Sequence, residues 1–179
     1  MHKTSPLPVA LALALAACTS PPMHSTAIAP DAQEALRFAL DARGVQVYEC
    51  RIERTSGRPA WAFVAPEAEL YDKHGHAAGT HGAGPVWQAP DGSRILGAVA
   101  RRADAPDPNA IPWLLLTARS TGMPGRFSEV TSIQRLRTRG GLAPSTGCDD
   151  DALGRTARVP YTAEYRFFAK PAASAERPE

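Results

Sequence analysis

The 179-residue chain carries 20 lysines and arginines against 18 aspartates and glutamates, which gives a formal net charge of +2. Its longest run of basic residues is the pair Arg101-Arg102. Proteins that follow a phosphate backbone concentrate basic residues in a run or on one face, so this balance argues against nucleic acid as a partner. The length and a hydrophobic content of 44% suit one domain with a substantial core.

Residues 1–17 have the pattern of an export signal. A short positive start at Lys3 precedes an apolar run that is too short to span a bilayer. The run ends in Leu15-Ala16-Ala17-Cys18, which resembles the lipobox of bacterial lipoproteins, where the signal is cut before the cysteine and a diacylglycerol is attached to its sulfur. The sequence therefore predicts a signal peptide over 1–17 and lipidation at Cys18.

The predicted lipid anchor makes a membrane the first expected partner and places the protein in the cell envelope. Thr19 rather than an aspartate follows the lipidated cysteine, which favours the outer membrane, facing the periplasm, by analogy with other lipoproteins. Residues 18–30 are rich in Ser, Thr, Pro and Ala, as is typical of a flexible tether. We predict a single β-rich domain over 31–170 and a polar tail over 171–179.

Two cysteines remain once Cys18 is lipidated, namely Cys50 and Cys148. An exported protein meets an oxidising compartment, so the simplest prediction is a disulfide between them. Neither lies in a Cys-x-x-Cys pair, which argues against a redox role, and two cysteines are too few for the usual thiolate metal site. The bond is therefore predicted to be structural.

The domain is predicted to begin with one amphipathic helix. Asp31-Ala32-Gln33-Glu34 has the spacing of a capping box, in which the aspartate caps the first turn and the glutamate reaches back to the Asp31 amide. Apolar residues then recur at helical spacing as far as Leu40, and Gly44 is well placed as the C-terminal stop.

The rest of the domain is predicted to be β. Tyr48 and Cys50 alternate with charged residues, which is the pattern of a half-buried strand with its cysteine facing the core. Two short strands, 60–65 and 68–71, are expected on either side of Pro66, which cannot donate to a sheet ladder. Further strands are predicted over 94–101, 111–118, 126–138 and 159–169. The predicted fold is a β-sandwich or partly closed barrel of about seven to nine strands with one N-terminal helix.

The stretch from Asp72 to Ile95 holds three of the five histidines and five glycines. His74 and His76 would share a face of a strand, and His81 is placed to meet them across a Gly-rich turn. Three imidazoles can hold Zn²⁺ or Cu²⁺ with an open position. One hypothesis is therefore a metal-dependent enzyme or metal-binding protein; the alternative is that His74 and His76 form the exposed tip of a hairpin and that no cofactor is bound.

A second hypothesis is a non-catalytic binding domain for a small molecule, a glycan or a protein partner. His81 opens a glycine-rich segment in which a ligand can approach the backbone closely. Trp87 is either a core residue or a platform for a flat ligand, and Trp113 is expected to share the groove. Asp91 is assigned first to a tight turn with Gly92 and second to ligand binding. We favour this hypothesis, since no convincing acid–base pair or nucleophilic triad is visible.

Several motifs together resemble a family of secreted proteins from bacteria and fungi that is known as domain of unknown function 3455. The family pattern resembles this sequence in its order of motifs over residues 32–168. The resemblance implies no established activity. The motifs that carry it include Val47-Tyr48-Glu49-Cys50, the segment from His81 to Trp87, Asp91-Gly92-Ser93, Ile111-Pro112-Trp113, Ile133-Gln134-Arg135, Gly147-Cys148 and Val159-Pro160-Tyr161.

Overall fold

The computed structural model describes residues 27–171. The predicted signal peptide, Cys18, most of the predicted tether and most of the polar tail lie outside that range. Within it, no helix is both long and apolar enough to cross a membrane. The predicted mainly β fold is confirmed, and the barrel is fully closed.

Eight antiparallel strands form the barrel, and each pairs with its neighbours in chain order. Pairing of the last strand with the first closes the sheet, for example between Gly44 and Tyr161. A closed sheet has no free edge along which another chain can add. The strands are β1 (Ala35–Ile52), β2 (Pro59–Tyr71), β3 (Ala77–Gly82), β4 (Val86–Gln88), β5 (Arg94–Ala103), β6 (Trp113–Ser120), β7 (Ser132–Gly140) and β8 (Thr156–Ala169); a short 3₁₀ helix, η1 (Asp150–Ala152), precedes β8.

The predicted N-terminal helix is wrong, because β1 occupies that part of the chain. The capping-box contacts do form: the Asp31 amide donates to Glu34 Oε2 at 3.2 Å, and the Gln33 amide donates to Asp31 Oδ1 at 2.9 Å. They close a turn after which the chain becomes extended. Gly44 ends no helix; it lies inside β1, where an added Cβ would stand 2.0 Å from the Glu67 carbonyl oxygen of β2.

Side chains in β1 alternate between the barrel interior and solvent as the pleat requires. Leu40, Ala42, Gln46, Tyr48 and Cys50 are buried, whereas the charged residues between them are mostly exposed. The apolar residues that suggested helical spacing include several alanines, which fit either period. Long-range pairing with β2 and β8 along the whole strand overrides that local preference.

Other predicted strands are confirmed with changed boundaries. The two short strands around Pro66 are one continuous strand, β2, in which Pro66 pairs with Gln46 and a bulge at Val64 precedes it. The predicted strand over 126–138 begins only at Ser132, and its expected bulge lies between Leu136 and Arg139. The two short strands β3 and β4 fall in the Gly-rich stretch for which no strand was predicted.

Two apolar clusters and one covalent bond hold the barrel together. The main cluster occupies most of the interior, and Phe38, Phe127 and Phe167 pack against one another around it. A smaller cluster lies on the outer face, where Ile28 covers Leu115 and Leu136. The predicted disulfide between Cys50 and Cys148 is confirmed, and it ties the end of β1 to the loop before η1.

Candidate functional site

The interior is not completely filled: a cavity of about 290 Å³ lies inside the barrel beside His81 and Trp87. An eight-stranded barrel is just wide enough to be filled by side chains or to hold one small ligand. Three side chains of its lining are substantially exposed, Phe63 by 54%, Val64 by 44% and Val99 by 59%, and so form an apolar rim open to solvent. The remaining lining residues are Gln46, Pro66, His81, Gly84, Pro85, Trp87, Leu114, Leu116, Arg135 and Tyr165.

His81 and Trp87 sit directly opposite each other on β3 and β4. Their rings stack with centroids 4.1 Å apart and an interplanar angle of 12°. The ring of Tyr165, on β8, meets both edge-on, at 5.1 Å from His81 and 5.4 Å from Trp87. Gly97 of β5 makes room for this arrangement, because a Cβ there would stand 2.8 Å from Trp87 Cζ3.

The imidazole of His81 is neutral in this environment. Burial lowers its pKa from 6.5 to about 3, and the positive charge of Arg135 acts in the same direction, while the hydrogen bond with Val86 opposes them. That bond joins Nδ1 to the Val86 carbonyl oxygen at 2.9 Å. A carbonyl oxygen can only accept, so Nδ1 carries the proton and Nε2 carries the lone pair.

Arg135 projects into the barrel from β7. Its Nε and Nη2 donate to the Pro112 carbonyl oxygen at 3.1 Å and 2.9 Å. Its charge lowers the pKa of His81 and opposes the rise that burial causes in the pKa values of three tyrosines. Those tyrosines are Tyr48, Tyr161 and Tyr165.

Several buried polar atoms of the interior lack a hydrogen-bond partner in the described part of the chain. They are Gln46 Nε2, Trp87 Nε1 and the hydroxyls of Tyr161 and Tyr165. The Tyr161 and Tyr165 hydroxyls lie close enough to act on each other's pKa values, although their geometry falls short of a full hydrogen bond. Since almost all buried polar groups in folded proteins are paired, a cluster of unpaired ones indicates a place for water or a ligand.

The sequence-predicted binding residues are only partly brought together. His81 and Trp87 line the cavity, whereas Trp113 does not; it packs against the outer cluster around Ile28. Asp91 organises a loop instead: Oδ1 accepts from the amide of Ser93 at 2.8 Å and Oδ2 from the amide of Arg126, also at 2.8 Å. These hydrogen bonds, with that of the Ser93 hydroxyl, hold the pKa of Asp91 below its usual range.

The three histidines of the metal hypothesis are divided between two environments. His74 and His76 lie exposed in the turn between β2 and β3, with ring centroids 6.0 Å apart, and their amides donate to Asp72 Oδ1. His81 is buried inside the barrel. Within residues 27–171, no group of three or more His, Cys, Asp or Glu side chains is arranged to hold a metal ion.

Sequence reasoning missed Gln46, Arg135 and Tyr165. A signal for Gln46 was available, because it falls on the same face of the strand as Tyr48 and Cys50, and a polar residue at such an inward position is unusual. Arg135 likewise falls on the same face of β7 as the buried Ile133.

Comparison with known proteins gives a family but no activity. The model of the family described as "Protein of unknown function (DUF3455)" matches residues 30–169. No curated protein and no solved structure matches the chain. The matched segment begins before β1 and ends with β8, so it contains the whole barrel, its cavity and the disulfide. The chain therefore belongs to this family of unknown function, as its ordered motifs predict.

Proposed function

We propose that the barrel is a binding domain that holds one small, largely apolar molecule in its interior cavity. The observation that carries the proposal is the cavity of about 290 Å³ with an exposed apolar rim and buried, unpaired polar atoms in its wall. Ligand sites combine an apolar lining with a few placed polar groups, and their volumes begin at about 300 Å³. The cavity is therefore of a size for a small ligand.

A small apolar molecule suits this cavity better than a glycan does. Most of the lining is aliphatic, aromatic or proline, and a sugar enclosed there would leave many hydroxyls without partners. Since one water occupies about 30 Å³ of liquid, the cavity has room for on the order of ten non-hydrogen atoms. The stacked rings of His81 and Trp87 supply a flat wall against which such a molecule can pack.

Isothermal titration calorimetry with octanamide, a neutral amphipathic molecule of suitable size, tests this proposal. We expect saturable binding of one molecule per chain. Val99→Trp places a large side chain on the rim and is expected to weaken binding about tenfold or more by blocking entry. Ile52→Trp, at a similarly exposed position outside the cavity lining, serves as the control and is expected to leave binding unchanged. Absence of saturable binding would overturn the proposal.

We also propose that the domain is anchored through a lipid on Cys18 and works at the outer membrane, facing the periplasm. The support is the sequence Leu15-Ala16-Ala17-Cys18, together with the disulfide that the other two cysteines form, which suits an oxidising compartment. Metabolic labelling of cells with a palmitate analogue is expected to label the full chain and to fail with Cys18→Ser. Equal labelling of both would contradict the proposal.

A further inference from the structure

We infer that the molecule held in the cavity is a small amphipathic acid whose carboxylate is received by Arg135. This inference rests on the proposed binding function and adds the chemical class of the ligand. Among the described residues that line the cavity, Arg135 is the one with a charged side chain, and none is an aspartate or glutamate. His81, the other lining residue that can become positive, stays neutral.

Arg135 has more N–H donors than its hydrogen bonds to the backbone use. A guanidinium has five N–H donors in a planar fork, and two of its nitrogens, Nε and Nη2, bond to the Pro112 carbonyl oxygen. The salt bridges that join side chains within residues 27–171 do not include Arg135. Arg135 is half-buried and has no acidic partner, and a carboxylate fits its fork with two parallel hydrogen bonds.

The unpaired polar groups of the cavity lining are all able to donate. The indole nitrogen of Trp87 can only donate, and the free atom of Gln46 is its amide nitrogen. Burial raises the pKa of Tyr165, the tyrosine of the lining, so its phenol keeps its proton. A wall that offers several donors and no carboxylate is complementary to a ligand that brings acceptors. Water would satisfy part of this need, but a carboxylate supplies both the acceptors and the missing negative charge.

The rest of the cavity suits the apolar part of such an acid. Leu114 and Leu116 line the interior, and Phe63, Val64 and Val99 form the exposed rim. A ligand with its carboxylate at Arg135 would bury its chain against the leucines and leave its far end at the rim. The volume limits that chain to a short aliphatic or small aromatic group.

The test is a comparison of octanoate with octanamide, which have almost the same shape and differ in charge. In calorimetric titrations at neutral pH, we expect octanoate to bind the wild-type protein about tenfold tighter or more, because it adds a charge-assisted, two-point contact. Arg135→Gln is expected to remove that preference while leaving octanamide affinity within about twofold. Arg139→Gln, an exposed position on the same strand, is expected to keep the preference.

The outcomes separate this inference from the proposed function. Octanamide binding with no preference for octanoate would overturn the acid inference and leave the cavity function standing. A preference retained in Arg135→Gln would also overturn it. Failure of both ligands would overturn both proposals. If Arg135→Gln does not fold by its melting curve, Arg135→Lys replaces it; this variant keeps the charge but loses the fork, and an unchanged preference there would contradict two-point binding by Arg135.

Discussion

His81 shows what the barrel interior does to a titratable side chain. Its ring is buried, stacked on Trp87 and bonded to a backbone carbonyl, and its pKa falls from 6.5 to about 3. In the unfolded chain the same imidazole takes up a proton near pH 6.5. Below that pH the unfolded state therefore binds a proton that the folded state does not, and stability must fall as the pH decreases.

For the wild-type protein, this site alone is expected to cost about 2 kcal/mol of unfolding free energy between pH 7 and pH 5. His81→Gln cannot titrate, and its amide can still donate to the Val86 carbonyl oxygen. The variant is therefore expected to lose less stability over the same interval. Urea denaturation of both proteins at several pH values measures the difference, and parallel pH profiles would show that His81 is not held neutral.

Gly97 is predicted to be the residue that lets Trp87 lie flat beside His81. A Cβ at this position would stand 2.8 Å from the indole, so Gly97→Ala forces the ring to move. We expect a destabilisation of about 1–3 kcal/mol, as is typical of overpacking. Gly82→Ala is the matched control, since a Cβ there meets nothing within 4 Å. Equal unfolding free energies for the two variants would contradict this role for Gly97 in the cavity wall.

The sequence was sufficient to single out His81 and Trp87, because a glycine-rich hairpin brings near neighbours in the chain face to face. It was not sufficient for Arg135 and Tyr165, which reach the cavity from β7 and β8 only when the barrel closes. Trp113 was assigned to the same groove on its residue type alone, and the pleat of β6 turns it to the outer face.

Among the elements, β1 differs most from its sequence-based prediction. The alternation of Tyr48 with Cys50 predicted its second half correctly. In its first half, Phe38, Leu40 and Ala42 follow the same alternation. The alanines of this segment also fit a helical period, and the capping-box spacing before them favoured the prediction of a helix. The local turn does form, but the extended conformation after it is decided by partners that lie more than a hundred residues away on β8.

The turn before β1 is predicted to stabilise the barrel through Glu34. Its carboxylate accepts hydrogen bonds from the hydroxyls of Thr131, at 2.5 Å, and Ser132, at 2.6 Å. Glu34→Ala would leave the buried Ser132 hydroxyl without this partner, so we expect a loss of about 1–3 kcal/mol. Gln33→Ala, at an exposed neighbouring position, should cost much less. Thermal unfolding that shifts equally for both would rule out this contact as the cause.

At the scale of the molecule, the barrel is held by pairing of every strand with its chain neighbours and by one cross-link. The disulfide joins residues separated by 98 positions, so it removes a great deal of freedom from the unfolded chain. It leaves the cavity side chains untouched, because neither cysteine lines the cavity.

Replacing both bonded cysteines, as Cys50→Ala with Cys148→Ala, is expected to lower the unfolding free energy by an amount approaching about 4 to 5 kcal/mol. Cys18→Ser provides a background in which the lipid does not interfere. Urea denaturation of the two proteins gives the value, and a difference below about 1 kcal/mol would show that the cross-link adds little.

The measurement that tests the central claim most directly is a methyl-resolved NMR titration with octanoate. If the barrel interior is the binding site, the methyl signals of Val64, Val99, Leu114 and Leu116 shift together and saturate at one equivalent, while those of Leu36 and Leu153, which are exposed outside the cavity lining, stay in place. Shifts confined to the exposed leucines, or spread without saturation over the surface, would contradict a ligand site inside the barrel.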